Sequence, residues 1–426
     1  MIKKIKEKLL GISKTKKNIL VLTSGSVIGQ GLVIAVSPIL GRLYTQEAFG
    51  LLALYTSFAT IFASLFTGKY EQAIFHPKDD SKALNLLFFT ISLSGVFSFL
   101  LLIGLLLIHY CHIEIKSLAT FGKFVFLIPI STFSIGFYSC FQLWFQRKEE
   151  YKMTSLASII QSLIVIIGNF LFFFIGYKVN GLLMGYFFSL ILPIIFLLYF
   201  FYKNNYIKNE YGKINISNAL VVAKEYINFP KYILASEFVL TLSQQFFPIL
   251  IATLYSSSIV GLYSFSNRIL RIPSILISNS VWGVYRNEAV KVLMNKQERV
   301  NLYLKTLKNL FLWGIGPFLF LVIFGKYLFI FVFGNSWEKS GLYAQIMALY
   351  LFSEFISYPL SSTFVIFNKQ RINMWIQICT FSLCVFGIYL GKVIGGDVTS
   401  ILLFSLFGMI CNLMSIFFSY KIVINE

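Results

Sequence analysis

Long apolar runs alternate with short polar segments along almost the whole chain. The run 84–108, for example, contains no charged residue. Backbone polar groups in lipid must be hydrogen-bonded within the protein, and a helix needs about 20 residues to cross the hydrocarbon, so such runs predict membrane-spanning helices. About twelve spans are predicted, at residues 18–40, 48–68, 84–110, 118–145, 153–175, 179–202, 231–254, 257–282, 306–333, 342–367, 372–394 and 398–421. The pattern therefore predicts an all-α polytopic membrane protein.

Two stretches far apart in the chain match in order, which indicates an internal repeat. Residues 38–51 and 248–262 share a Pro-Ile-Leu, a Leu-Tyr and a Gly-Leu pair, with one inserted residue in the second stretch. The turns 145–153 and 367–374 align at a similar offset. Two matches in register favour a duplication of about six spans, as in transporters built from repeats.

This duplication predicts two six-helix lobes that enter the membrane from the same side and face a central cleft. The lobes are expected at 18–202 and 231–422, with a cytoplasmic linker at 203–230. Within the linker, residues 217–227 predict a short capped helix on the cytoplasmic surface. The lysine-rich segment 1–17 has apolar residues at helical spacing and is expected to lie on the membrane surface as a basic amphipathic helix.

The placement of positive charge sets the orientation. With the N-terminus in the cytoplasm, 27 of the 36 Lys and Arg residues fall on the cytoplasmic side and seven fall outside or near that edge. The two that remain, Arg268 and Arg271, lie inside a span. The positive-inside rule therefore predicts that both termini are cytoplasmic.

Composition adds to this picture without changing it. Hydrophobic residues make up 57% of the chain, more than the roughly 45–50% of soluble domains. The net charge of +19 follows from topology, since the cations are scattered over short loops. No soluble basic domain is present that would predict nucleic-acid binding.

Four of the predicted spans carry a stripe of polar residues at helical spacing, which places each set on one helix face. The residues are Ser257, Gly261, Ser264, Arg268, Arg271 and Ser278 in the eighth span, Glu237, Thr241, Gln244 and Pro248 in the seventh, Tyr350, Glu354, Ser357 and Ser361 in the tenth, and Thr23, Ser26, Gln30 and Ser37 in the first. An intramembrane charge costs roughly 2.5–3.5 kcal/mol on insertion scales. These faces are therefore expected to line the cleft, with Gln30 and Gln244 among its polar groups.

The charged members of these stripes suggest two kinds of site. Arg268 and Arg271, one helical turn apart, are suited to grip phosphate oxygens bidentately. Glu237 and Glu354 are candidates for a proton or sodium site that couples transport to a gradient. The alternative is that one of the arginines pairs with Glu237 or Glu354 and only holds helices together.

Other chemistry is not indicated. Five cysteines form no CxxC pair, so neither a disulfide framework nor a zinc site is expected, and no metal or cofactor is predicted. His109, Cys111 and His112 cluster at the outer end of the third span, where polar interfacial residues are the simpler interpretation. No GxxxxGK[ST] sequence is present to bind ATP phosphates, and every outer loop is too short to hold the active site of a glycosyltransferase, polymerase or ligase.

Several motifs resemble the Wzx-type polysaccharide repeat-unit flippases. These are PILGRLY at 38–44, FGL at 49–51, GKYEQAI with PKDD within 68–80, WFQRK at 144–148, FPKY at 229–232 and GLY at 261–263. The resemblance covers most of the chain. It implies the fold of the superfamily that also contains the multidrug and toxin extruders (the MATE-like, MOP fold) and transport by alternating access.

The resemblance also implies a cargo and a location. The cargo would be an undecaprenyl-pyrophosphate-linked oligosaccharide, moved from the cytoplasmic to the periplasmic face of the bacterial inner membrane for O-antigen or other surface polysaccharide synthesis. Arg42, Lys69 and Glu71 occupy matched motif positions and become candidate cargo-binding residues, although interfacial snorkelling remains an alternative for them. Implied partners are membrane lipids and other assembly proteins, namely a polymerase and a chain-length regulator.

A drug or toxin extruder of the same fold, driven by H⁺ or Na⁺, is the competing function. Its usual cargo is cationic, so two central arginines would repel it. The intramembrane acids Glu237 and Glu354 keep this alternative open.

Overall fold

The computed structural model describes residues 14–113, 116–206 and 214–425, so most of the predicted N-terminal surface helix lies outside the described residues. The described part is all-helical, as predicted. Its twelve long helices are α1 Lys14–Leu43, α2 Gln46–Phe66, α3 Asp80–Tyr110, α4 Ile128–Arg147, α5 Tyr151–Phe174, α6 Gly181–Lys203, α7 Leu234–Leu254, α8 Ser257–Lys291, α9 Lys296–Phe333, α10 Glu338–Leu360, α11 Gln370–Ile394 and α12 Asp397–Asn425. Each of them overlaps one predicted span.

Ten of these helices are long and apolar enough to cross a membrane. The two that fall short of this standard in the described chain are α8 and α10. Both carry the polar stripes, including Arg268, Arg271 and Glu354. The charged residues that make α8 and α10 candidate functional elements therefore also lower the mean hydropathy of these two helices.

The helix α4 begins at Ile128, after a 3-10 helix at Gly122–Leu127, where the sequence predicted a start at 118. Two further boundaries also differ from the predicted spans. The helix α8 continues to Lys291 and α9 begins at Lys296, where the sequence predicted an end at 282 and a start at 306. These extra turns are polar, and a helix can continue in water when its ends are capped. Here the Asn295 side chain accepts hydrogen bonds from the backbone amides of Gln297 and Glu298 at 3.1 and 3.3 Å. Hydropathy alone does not register such extensions.

The tenth predicted span, 342–367, is divided in the structure. The helix α10 ends at Leu360, and a separate short helix, Ser362–Ile366, follows it. Pro359 lies in the last turn of α10. Proline lacks a backbone donor, so the helical hydrogen bond from residue 359 to the carbonyl of Phe355 is missing in this last turn.

The short helix predicted in the linker is confirmed at Ile216–Glu225. Its N-cap is Asn215, whose side-chain oxygen accepts a hydrogen bond from the amide of Asn218 at 2.7 Å. Ala219, Val222 and Ala223 form its buried face. This face anchors the helix to α3 and the core of the first unit.

The chain divides into two compact units, with the boundary between Thr253 and Leu254. The first unit therefore includes nearly all of α7. The second unit contains α8 to α12. The predicted lobes, separated by a linker at 203–230, remain a prediction.

Equivalent tyrosines make equivalent contacts in the two units. Tyr44 follows α1 and donates a hydrogen bond to the carbonyl of Asn169 in α5 at 2.6 Å. Tyr255 follows α7 and lies 2.6 Å from the hydroxyl of Ser400 in α12. Ser400 in turn donates to the carbonyl of Ile388 in α11 at 2.7 Å. Under the predicted repeat, α5 and α6 correspond to α11 and α12, so each tyrosine joins the matching hairpin.

One cation, Arg147, acts as a clamp between the end of α4 and the segment that precedes α3 in the first unit. Arg147, in the last turn of α4, donates to the backbone carbonyls of Ile74 and Lys78 at 3.0 and 3.3 Å. It also contacts a carboxylate oxygen of Asp80 at 3.3 Å. Arg147 therefore joins the WFQRK motif to the GKYEQAI–PKDD motif.

Replacing Arg147 by alanine should destabilise the first unit. The guanidinium satisfies carbonyls that the turn leaves without helical partners, and charged hydrogen bonds contribute roughly 1.5–3 kcal/mol each. Thermal unfolding in detergent should show a clear fall in the midpoint temperature. Lys152→Ala, an exposed cation in the following helix, is the matched control and should behave as the parent protein. An unchanged midpoint for Arg147→Ala would contradict the clamp.

Candidate functional site

The first polar cluster forms where the chain turns between α2 and α3. The helix α2 ends at Phe66, and Gly68 and Lys69 both adopt positive φ angles of 58° and 60°. A side chain in this left-handed region is disfavoured, at a cost on the order of 1–3 kcal/mol, unless surrounding contacts hold it. Lys69 is the residue that occupies it here, directly before the short helix Tyr70–Ala73.

Two carboxylates hold Lys69 in this position. Its Nζ lies 2.9 Å from Oε2 of Glu237 in α7 and 3.7 Å from Oε1 of Glu71. Gln72 donates from Nε2 to the other Glu237 oxygen, Oε1, at 2.8 Å. Lys69 is mostly buried, with 14% of its side chain exposed, and Glu71 is more buried still. The cluster is a lysine between two carboxylates, one of which is fixed by a glutamine.

The structure thus brings Glu237 of α7 together with Lys69 and Glu71 of the GKYEQAI motif, which the sequence had placed on a separate candidate element. Sequence reasoning missed Gln72, although it adjoins Glu71 in the GKYEQAI motif. A second link, between α2 and α7, lies two turns further along α7, roughly 12 Å away along its axis. There Ser57 of α2 donates to Oε1 of Gln245 at 3.2 Å.

The second polar cluster lies in the second unit, between α8 and α10. Arg271 Nη2 forms an ion pair and hydrogen bond with Glu354 Oε1. The two side chains are only about a quarter exposed, at 25% and 24%. Buried Nε of Arg271 has no hydrogen-bond partner among the described residues. This is one of the pairings that the sequence left open.

A neutral network supports the helix that carries Glu354. Asn412 of α12 donates from Nδ2 to Ser353 Oγ at 3.0 Å, and its Oδ1 accepts from Ser357 Oγ at 3.2 Å. On the neighbouring side, Ser278 of α8 donates to the carbonyl of Phe355 at 3.3 Å. Sequence reasoning missed Asn412, a single amide in an apolar helix whose signal was too weak without its partners.

The other four predicted site residues have exposed side chains. They are Gln30 and Arg42 in α1, Gln244 in α7 and Arg268 in α8. Arg268 lies one turn before Arg271 on α8. In α7 the adjacent residue Gln245, not Gln244, makes the contact with α2.

Replacing Glu237 by glutamine and replacing Glu354 by glutamine should have different effects on protein abundance. Glu237→Gln should leave protein abundance nearly normal, because the amide oxygen can still accept from Gln72 and Lys69 keeps Glu71 as a neighbouring carboxylate. Glu354→Gln should lower abundance, because it removes the carboxylate that Arg271 contacts. Membrane abundance measured by immunoblot for the two matched variants tests this difference.

Glu237→Gln is therefore the cleaner probe of ion coupling. If Glu237 carries the coupling ion, this variant should lose gradient-driven transport at normal abundance. Transport equal to that of the parent protein would remove Glu237 from the coupling mechanism. A fall in abundance as large as that of Glu354→Gln would contradict the structural difference between the clusters.

Metal binding is not indicated within the described ranges, where no group of three or more His, Cys, Asp or Glu side chains is arranged to hold an ion. The available chemistry is therefore that of charges and hydrogen bonds. Arginine and lysine can bind anions, and the two acids can hold cations or accept protons.

The chain is similar to a known protein family and to several solved structures. A family model described as "Polysaccharide biosynthesis protein" matches residues 15–285. No curated protein matches the chain. An inward-facing multidrug resistance transporter of the MATE family, in the MOP superfamily, superposes with a TM-score of 0.74 at 14% identity, covering 95% of this chain and 98% of that one.

Two further solved structures share the fold. The lipid II flippase MurJ, in an inward closed conformation, gives a TM-score of 0.74 at 13% identity over 94% of this chain and 87% of its own. A MOP superfamily transporter from Pyrococcus furiosus gives 0.58 at 13% identity, with 96% of both chains covered. At these identities the similarity establishes the fold, which is that of a multi-pass membrane transporter or flippase.

Proposed function

Because this chain belongs to the polysaccharide biosynthesis protein family, we propose that it is a flippase for lipid-linked saccharides. Its cargo would be an undecaprenyl-pyrophosphate-linked oligosaccharide repeat unit of an O-antigen or another surface polysaccharide. The chain would move this cargo from the cytoplasmic to the periplasmic face of the bacterial inner membrane by alternating access. The observation that carries the proposal is the family match, which spans more than half of the chain.

The chemistry of the polar clusters supports an anionic cargo. The pyrophosphate is the constant part of such a lipid, whereas the sugars vary between pathways. A fixed cationic contact is the expected means of recognising it, and arginine suits phosphate because its planar fork can donate two parallel hydrogen bonds. We assign this role to Arg268, which is exposed on the polar face of α8.

Arg271 has a different proposed role. Its guanidinium is committed to Glu354 and mostly buried, so it fits a helix-joining residue better than a cargo contact. Arg42 remains a second candidate for the cargo, being exposed in the last turn of α1. Lys69 and Glu71 lie together with Glu237. We propose that the charges of this cluster influence the movement of the cargo along its path.

A multidrug extruder remains the second candidate, since a MATE transporter has an equally similar fold. A cationic drug needs a carboxylate that is not already neutralised. The intramembrane acids Glu237 and Glu354 both have a cationic neighbour, Lys69 for the first and Arg271 for the second. This pairing favours the anionic cargo over the cationic one.

Complementation separates the two functions. The chain would be expressed in a strain that lacks its own repeat-unit flippase and in a drug-sensitive strain that lacks its extruders. We expect restored surface polysaccharide in the first and unchanged drug susceptibility in the second. Drug resistance without polysaccharide would contradict the proposal and support the extruder.

A reconstituted assay avoids dependence on one sugar. Proteoliposomes would carry a polyprenyl-pyrophosphate linked to a fluorescent saccharide, and its appearance on the opposite leaflet would be measured by quenching. Protein-dependent translocation is expected. If the lipid stays in its original leaflet although cooperative thermal unfolding shows that the protein is folded, the result would argue against flippase activity.

A further inference from the structure

A groove lies at the end of α3 that the charge distribution predicts to be periplasmic. Its volume is about 640 Å³, and it lies between the last turns of α3 and the segment that leads into α4. Ile108, Val125 and Phe126 are among its apolar lining residues. Binding pockets for small ligands typically measure about 300–1,000 Å³, so this groove is large enough for one.

The ionisable groups that line this groove all carry N–H donors. Among the described residues that line the groove they are His109, His112 and Lys123, and none of these described residues is acidic. None of the three forms an ion pair with a described residue. His109 is placed by an edge contact with the Phe126 ring, with 5.7 Å between centroids. The lining therefore complements a ligand that is both anionic and apolar.

The groove is open, and the length of α3 predicts that it lies at the depth of the lipid headgroups. Gly122 lines it with a φ of 52°, and an added Cβ there would contact nothing within 4 Å. The helix α3 has 31 residues, which at 1.5 Å per residue gives roughly 46 Å, well beyond the hydrocarbon thickness of about 30 Å. Its end carries the highly exposed Tyr110, a residue type enriched at membrane interfaces.

A metal ion explains this cluster less well. His109, Cys111 and His112 are close in sequence, but within the described ranges they do not form a group able to hold an ion. Cys111 is not among the lining residues of the groove, whereas Lys123, a cation, is. A cation facing the two histidines favours an anion in the groove.

We propose that this groove binds one anionic phospholipid of the surrounding bilayer. The phosphate would contact Lys123, His109 and His112, and an acyl chain would lie along Ile108, Val125 and Phe126. The site is separate from both polar clusters, and the proposal holds whatever cargo the protein carries. It adds a lipid-recognition site on the outer face of the first unit.

Native mass spectrometry of the purified full-length protein tests the proposal with phosphatidylglycerol and phosphatidylcholine as probes. The variant combines Lys123→Glu with His109→Gln and His112→Gln, all of them exposed positions, and thermal unfolding verifies that it folds. Lys178→Glu, an exposed cation in another predicted outer loop, is the matched control. We expect phosphatidylglycerol binding to weaken about tenfold or more in the triple variant and to stay unchanged in the control.

Three results would overturn the assignment. The first is equal phosphatidylglycerol binding by the triple variant and the parent protein. The second is equal affinity of the parent protein for phosphatidylcholine, which would remove the charge selectivity. The third is displacement of phosphatidylglycerol by a polyprenyl pyrophosphate at lower concentration, which would assign the groove to cargo. A photoactivatable phosphatidylglycerol that labels residues within 105–126 would support the proposed position.

Discussion

Replacing Arg271 by alanine should sharply reduce the amount of folded protein in the membrane. The change leaves Glu354 mostly buried without its cationic partner, and an uncompensated buried charge costs on the order of 3–5 kcal/mol. This is comparable to the whole margin of stability of many domains. Immunoblots of membranes and the thermal unfolding midpoint in detergent would measure the loss.

The exposed Arg286 provides the matched control on the same helix, because it contacts Trp282 through a cation–π interaction and is outside the Arg271 cluster. Arg286→Ala should leave abundance near that of the parent protein. Normal abundance of Arg271→Ala would show that the ion pair does not stabilise the second unit. It would also return Arg271 to the set of candidate cargo contacts.

A double replacement separates stability from transport at this pair. Changing both Arg271 and Glu354 to methionine removes both charges together, and buried ion pairs replaced by apolar groups of similar size are often neutral or stabilising. Abundance should therefore recover. Polysaccharide export by this double variant would then show that the pair holds helices together, whereas lost export at normal abundance would assign the charges a transport role.

Arg268 is expected to give the opposite pattern. Arg268→Ala should keep normal abundance and weaken cargo binding by about one to two decades. A charge-assisted contact contributes roughly 1.5–3 kcal/mol, and 1.4 kcal/mol corresponds to a factor of ten. Lysine at this position should rescue binding only in part, because it keeps the charge but loses the planar fork. Equilibrium binding of a polyprenyl-pyrophosphate saccharide to detergent-purified protein, together with surface polysaccharide, provides the measurement.

The result that would contradict this role is full export by Arg268→Ala at normal abundance. Arg286→Ala again serves as the control, since it removes the same type of side chain from the C-terminal part of the same helix. Reduced abundance of Arg268→Ala would indicate a structural function instead. The fold and family of the chain would remain as they are in every case.

The amino-acid sequence by itself determined the number and positions of the long helices. Lipid leaves the backbone no partner outside the chain, so an uninterrupted apolar run of sufficient length has to form a helix. The same constraint makes charged residues inside spans conspicuous, which is how Arg268, Arg271, Glu237 and Glu354 were found. The extent of α8 and α9 beyond the hydrocarbon was missed because hydropathy does not report on polar helix turns capped by Asn295.

Only the tertiary structure decided which charges meet. The sequence offered two arginines and two acids with no means of pairing them, and the structure places Arg271 on Glu354 and a third cation, Lys69, on Glu237. It also shows that Gln245 contacts Ser57 of α2, whereas Gln244 points elsewhere because adjacent residues differ by about 100° around a helix axis, and its place in a cargo cleft stays a prediction. Helix rotation and packing set these contacts, and they depend on residues far apart in the chain whose joint arrangement no local pattern encodes.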